Sequence, residues 1–197
     1  MLFRSRNDYD ILEHGMMLGD ARRLQAYLDA IRRVVRPGDV VADIGSGTGI
    51  FALAACAAGA RRVFAIESGP IVEVAEEVMA INGCADRVRI IPAFSTEVDL
   101  PEPADVVVMD VRSILPDHQI PVAVDARRRF LAPGGRLLPA RDVIWAAPIA
   151  APDLRQRTFD PWRDDAVGLD VSPVRSVLLK DRKSTRLNSS HGYISYA

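Results

Sequence analysis

The stretch Val40-Val41-Ala42-Asp43-Ile44-Gly45-Ser46-Gly47-Thr48-Gly49-Ile50 sets the tightest limit on what this chain can fold into. A short apolar run ends in an acid, glycines alternate with small polar residues, and a helix-forming segment follows, so the reading is strand, tight turn, helix start. Glycine at that density lets the backbone approach a ligand without a Cβ in the way, and the N–H groups at the following helix start favour polar or anionic atoms. The pattern therefore marks a cofactor loop. A dinucleotide fingerprint needs glycine at the first, third and sixth positions, and the sixth position counted from Gly45 is Ile50, so the register argues against a nicotinamide nucleotide.

Strands and helices alternate on both sides of that loop. Leu24, Tyr27, Leu28, Ile31 and Val34 or Val35 fall at helical spacing, which predicts an amphipathic helix from Leu18 to Val35, stopped at Arg36-Pro37-Gly38-Asp39. After the loop, a helix is expected from Ile50 to Ala58, a strand over Arg62-Val63-Phe64-Ala65-Ile66 with Glu67 at its end, and a helix from Ile71 to Ile81. Strands follow at Val88-Arg89-Ile90-Ile91 and Ala104 to Met109, the second a valine-rich run of the kind buried on both faces, with Asp110 at its end. A helix from Ile120 is expected to reach Leu131 and stop at Pro133-Gly134-Gly135, its Arg127, Arg128 and Arg129 read as a solvated end complementing the dipole. Arg136-Leu137-Leu138-Pro139 and Val143-Ile144-Trp145-Ala146-Ala147 read as the last sheet strand and the approach to a second unit.

At 197 residues and 49% hydrophobic composition the chain has material for one α/β domain and the start of another. No apolar run nears the roughly 20 residues of a membrane span, and no signal-peptide pattern opens the chain, so the expected compartment is the cytoplasm. Cys56 and Cys84 stand apart from any CxxC or His/Cys cluster and read as small buried hydrophobes, with no metal site implied. Both ends change character. Asp181 to His191 can be coded by a common DNA-sequencing adapter read in frame, and Leu2-Phe3-Arg4-Ser5 by the reverse complement of its core, so residues 1–5 and 181–197 are expected to be adapter-derived and non-native. Setting them aside lowers Lys+Arg from 25 to 21 and Asp+Glu from 26 to 25, a net charge of about −4 with no basic field for nucleic acid.

The acid followed by alternating Gly45, Gly47 and Gly49 resembles motif I of the class I S-adenosylmethionine (SAM) methyltransferases, and Glu67 at the end of the next strand resembles its second half. The resemblance implies a Rossmann-like, doubly wound, mostly parallel sheet and SAM as cofactor. It assigns cofactor contacts to Asp43, Gly45, Ser46, Gly47, Gly49, Glu67 and Ser68, with Glu67 accepting from the ribose hydroxyls and Asp43 orienting the methionyl end. Ala93-Phe94-Ser95-Thr96-Glu97 falls where such enzymes hold the adenine, which makes Phe94, Ser95, Thr96 and Glu97 candidates, Ser95 and Thr96 among the assigned contacts.

His14-Gly15-Met16-Met17-Leu18-Gly19-Asp20-Ala21-Arg22-Arg23 is similar to the H-x-x-M-L-x-D-x-x-R segment that covers the cofactor in protein arginine methyltransferases. By that resemblance Arg23 pairs with the SAM carboxylate, Met17 packs near the sulfonium and His14 lies near the transferring methyl. Leu131 to Pro139 resembles the junction leading to the β-barrel of those enzymes, which implies a methyltransferase domain over 6–147 and the truncated start of a β-rich substrate domain over 148–180. The expected activity is methyl transfer to a nitrogen nucleophile of an unidentified protein or small-molecule acceptor. Alternatives are a ribosomal-protein or small-molecule methyltransferase with the same nucleotide half, and a non-catalytic SAM-binding scaffold. The catalytic candidates are Asp110 and His14. The family's acceptor loop, S-E-x-x-x-x-x-x-x-x-E, falls without gaps on Asp110 and Gln119, so one glutamate is shortened and the other becomes a neutral amide. Poor methylation of protein arginine is the expectation that follows.

Overall fold

Five segments pair in parallel because a connection long enough for a crossover separates each from the next, and the central ones, Val40–Ile44 and Ala104–Met109, are apolar on both faces. The five are β1 (Val40–Ile44), β2 (Arg62–Ile66), β3 (Val88–Ile91), β4 (Ala104–Met109) and β5 (Leu131–Leu138), in the order β3-β2-β1-β4-β5. The computed structural model describes residues 11–111, 119–143, 150, 152–158, 160–162, 168 and 173–174. Central β1 is buried along its whole length, with Val41 opposite Val63 of β2 on one side and Val106 of β4 on the other.

Helices cover both faces. Odd-numbered β1 positions and their neighbours, among them Val41, Val63, Ala65, Val106 and Val108, pack with α2 (Ala21–Val34), α3 (Ile50–Ala57) and α4 (Val72–Ile81) through Ile31, Ala55 and Met79. The opposite face, including Ala42, Ile44, Phe64 and Val107, packs with Ala126 of α5 (Gln119–Arg129) and with Phe130. Phe64 and Phe130 are almost fully buried, each burial worth about 1.5–3 kcal/mol. The winding reverses between β1 and β4, and the carboxyl ends of those strands frame the crevice where open α/β sheets bind ligands.

Three expectations change. The helix expected over Leu18 to Val35 is α2 (Ala21–Val34), while Leu18 and Gly19 end a separate helix, α1 (Ile11–Gly19); the Asp20 side chain caps α2 by accepting from the Arg23 backbone N–H at 3.1 Å. Pro133-Gly134-Gly135 lies within β5 and not after a helix. Leu131 pairs with Ala104 and Arg136 with Val106, so the Pro-Gly-Gly run bulges between two stretches of regular pairing, with Gly134 at φ +77°. Arg129, expected to be solvated, instead donates to the Ser95 and Val98 carbonyls.

A second compact unit begins at Val143. Its described elements are α6 (Pro152–Thr158) and a 3-10 turn at Asp160–Trp162, with no strand among the described residues of 148–180. Residues 144–147 of the expected last strand, most of the expected β-rich unit, and the two terminal stretches lie outside the described residues. No described helix is long and apolar enough to cross a membrane.

Candidate functional site

The glycine loop leaves β1 and folds onto the end of β2, the Gly45 and Ser46 backbone N–H groups donating to the Ile66 carbonyl at 2.8 and 3.1 Å. All three glycines have positive φ, at +69°, +53° and +83° for Gly45, Gly47 and Gly49. Each is also approached by another element. A Cβ on Gly45 would collide with the Val111 side chain, one on Gly47 would lie 3.0 Å from the His14 ring, and one on Gly49 would lie 2.5 Å from Met79 Cε. Val111 and Met79 were not singled out from sequence, where no local signal ties them to the loop.

Glu67, at the end of β2, is tied to the loop. Its Oε2 accepts from the Gly47 N–H at 2.9 Å and its Oε1 from the Gly69 N–H at 2.8 Å. Each oxygen has a further lone pair, so a carboxylate held this way remains an acceptor for a diol.

Asp43 lies beneath the loop, 1% exposed, and neither carboxylate oxygen has a hydrogen-bond partner among the described residues. Burial pushes its pKa up to about 7, and the negative charges of Asp110 and Glu67 push the same way. The Ala52 backbone N–H, in the first turn of α3, pulls it down, though its placement falls short of a hydrogen bond. The Ser46 hydroxyl is likewise buried and without a partner among the described residues.

Above β4, Arg23 of α2 forms an ion pair with Asp110 Oδ2, the two side chains 15% and 6% exposed. Its other terminal nitrogen donates to the Met17 carbonyl at 2.6 Å. His14 and Met17, three residues apart, are the half-buried positions of α1. Tyr27 anchors α2 by donating to the Met109 carbonyl at 3.2 Å and stacking on Phe51 at 4.8 Å.

The structure thus brings His14, Met17, Arg23, Asp43, Gly45, Gly47, Glu67 and Asp110 to one end of the sheet. Ser68 and Thr96 are exposed beside it, and Phe94 is 52% exposed. Ser95 is buried, and its carbonyl accepts from Arg129 at 2.6 Å. Arg129 also donates to the Val98 carbonyl at 2.5 Å, to Asp99 at 3.2 Å and to Asp125 at 2.8 Å, so it fixes the β3–β4 loop from α5. The i,i+4 pairing of Asp125 with Arg129 is visible in sequence; the distant loop it serves is not. Gln119 donates to Asp142 at 3.4 Å, and residues 112–118 between Asp110 and Gln119 lie outside the described residues. Among the described residues no group of His, Cys, Asp and Glu side chains is placed to hold a metal ion.

A ligand joining a ribose to an amino-acid end fits this donor set. Glu67 offers the diol acceptor, the orphaned oxygens of Asp43 offer a partner to an ammonium or its bridging water, and Arg23 offers a cation to a carboxylate.

Comparison with known proteins gives the same direction. The family model described as ribosomal protein L11 methyltransferase (PrmA) matches residues 18–138. The probable protein arginine N-methyltransferase 6 of Arabidopsis thaliana is 34% identical over 163 residues, covering 81% of this chain and 37% of the relative. Protein arginine N-methyltransferase 1 of Schizosaccharomyces pombe is 32% identical over 173 residues, covering 85% and 51%. Among solved structures, the Trypanosoma brucei PRMT1 enzyme-prozyme heterotetrameric complex with AdoHcy matches with a TM-score of 0.71 at 27% identity, over 83% of this chain and 53% of that one. Arabidopsis thaliana protein arginine methyltransferase 10 matches with a TM-score of 0.63 at 28% identity, over 66% and 38%. The chain spans about half the length, or less, of the curated relatives named here.

Proposed function

We propose, from the premise that this chain belongs to the class I SAM-dependent methyltransferases, that it binds SAM at the carboxyl ends of β1, β2 and β4 and directs methyl transfer to a nitrogen nucleophile, as its arginine-methyltransferase relatives' names indicate. The observation that carries the reading is the joining of the glycine loop to Glu67 through the Gly47 N–H, which sets a diol acceptor beside a backbone open to a nucleoside. SAM supplies the activated methyl, carried on a sulfonium. The protein's part is alignment and exclusion of water. Glu67 holds the ribose, Arg23 the carboxylate, and Asp43 with Ser46 the amino-acid end, while Met17 and His14 of α1 close over the loop.

For the acceptor, the names of the relatives point to arginine on proteins. Asp110 supplies one carboxylate for the guanidinium, and Gln119 in place of a second leaves the cation with one charge-assisted partner, so turnover on arginine is slow. The free, buried Cys56 and Cys84 suit a reducing compartment, and we take the cytoplasm as the site of action.

Calorimetry with S-adenosylhomocysteine and NAD tests the cofactor half. S-adenosylhomocysteine binds, NAD does not, and Glu67→Ala weakens binding by about 1–3 kcal/mol. NAD binding with no S-adenosylhomocysteine signal ends the proposal. Transfer of labelled methyl to arginine-rich peptides beside lysine peptides and small amines tests the acceptor half, and robust arginine methylation that survives Asp110→Asn refutes the role given to Asp110.

A further inference from the structure

Three acids meet at the glycine loop, and the fold provides for two of them. Glu67 accepts from the Gly47 and Gly69 N–H groups, and Asp110 is ion-paired with Arg23. Asp43 is 1% exposed, and neither of its oxygens has a hydrogen-bond partner among the described residues. From the ends of β2 and β4 it faces Glu67 and Asp110, both negative. The packed helix α3 carries no charged side chain, and the polar group it brings is the Ala52 N–H. Arg23 of α2 meets Asp110 and not Asp43, and His14 of α1 lies over Gly47. An ionised carboxylate in that setting has neither donors nor water around it and two like charges beside it. A proton on Asp43 removes that cost, and burial with the two neighbouring charges raises its pKa to about 7.

We propose that the empty site holds a proton on Asp43 and that the cofactor's ammonium, arriving directly or through a water, expels it, so that loading the cofactor exchanges one cation for another. This rests on the SAM reading above. The Asp43 O–H bond breaks, its proton goes to solvent, and the carboxylate left behind accepts a charge-assisted hydrogen bond. No other bond is made or broken. Acid therefore opposes loading and favours the empty site, and departure of the product takes the proton back up. The requirement discriminates between ligands. One that has the nucleoside but no ammonium brings nothing to offset the charge, so it binds beside a protonated Asp43 and releases no proton.

Calorimetric titration of the full chain decides it, run in MES and in imidazole buffer so that the difference in heat counts the protons released. S-adenosylhomocysteine carries the ammonium; 5′-methylthioadenosine keeps the nucleoside thioether and lacks the amino-acid end. At about pH 6.5 S-adenosylhomocysteine releases about 0.75 proton and 5′-methylthioadenosine none. Between about pH 5.5 and about pH 7.5 the affinity of the first rises about 25-fold while that of the second stays level. In Asp43→Asn, S-adenosylhomocysteine releases no proton and its affinity no longer rises with pH. His14→Gln keeps both effects, which excludes the imidazole as the source of the proton. Infrared difference spectra of the parent chain need no variant: the protonated-carboxyl C=O stretch of the ligand-free protein disappears with S-adenosylhomocysteine and persists with 5′-methylthioadenosine. The exchange is overturned if S-adenosylhomocysteine binds without releasing a proton, if both probes release protons alike, or if release persists in Asp43→Asn. Should that variant fail to fold, a carboxyl band that survives S-adenosylhomocysteine in the parent overturns it. Failure of the parent chain to bind either probe overturns the cofactor reading itself.

Discussion

Replacing Asp43 with asparagine removes a charge that the ligand-free fold tolerates poorly. The side chain is 1% exposed with neither oxygen partnered among the described residues, and burial lifts its pKa from 3.8 to about 7. The folded state therefore holds this proton more tightly than the unfolded chain does. Stability from that difference is complete below about pH 4 and is lost as pH rises through about 7. Between about pH 5.5 and pH 8 the loss amounts to about 2 kcal/mol, which for a chain this size is roughly 4–8 °C in melting temperature. An asparagine side chain cannot titrate. It carries a constant cost for its own unpaired amide, but that cost does not vary with pH. Thermal melts of the two proteins across this range, without ligand, should show the parent falling relative to Asp43→Asn by that amount. Parallel curves would mean that Asp43 is solvated or paired, contrary to the geometry.

Gly49→Ala forces a side chain into φ +83° and against Met79 Cε, and should cost about 3 kcal/mol, read as a melting temperature roughly 6–12 °C lower; an unchanged value refutes the packing. Arg129→Ala should cost only about 1 kcal/mol, since the side chain is 30% exposed, but should speed amide hydrogen exchange selectively in residues 94–99; exchange unchanged there shows that the loop holds itself. Deleting residues 181–197 should leave both melting temperature and S-adenosylhomocysteine affinity unchanged within error, and a fall in either shows that the tail is part of the protein.

Sequence carried the sheet well because parallel strands buried on both faces are nearly continuous apolar runs. Ala104–Met109 has in the structure the bounds that pattern predicts, and the edge strand Val88–Ile91, with Arg89 exposed, also has its expected bounds. It failed where two local rules met. The helical period read from Leu18 overruns the Asp20 cap, so the helix begins only at Ala21, and Leu18 and Gly19 belong to a separate helix whose His14 ring lies against Gly47. At Pro133-Gly134-Gly135 the residues that usually end a helix instead form a bulge, because Leu131 and Leu137 on either side find partners on β4. That pairing is a tertiary fact with no local trace.

The site divides along the same line. Residues fixed by their place at a strand end, Asp43, Glu67 and Asp110, were legible because strand and acid are contiguous in sequence. What shapes the space between them comes from elsewhere: Val111 on Gly45, His14 on Gly47 and Met79 on Gly49 are supplied by three different elements. The glycines are thus doubly determined, by a turn that needs positive φ and by neighbours that leave no room for a Cβ. Only the first cause can be read from the chain. The Arg23–Asp110 pair carries the point furthest, since it joins positions 87 residues apart that sequence reasoning assigned to different ligands. The contact forms only once α2 packs above β4, so neither position carries a local sign of it.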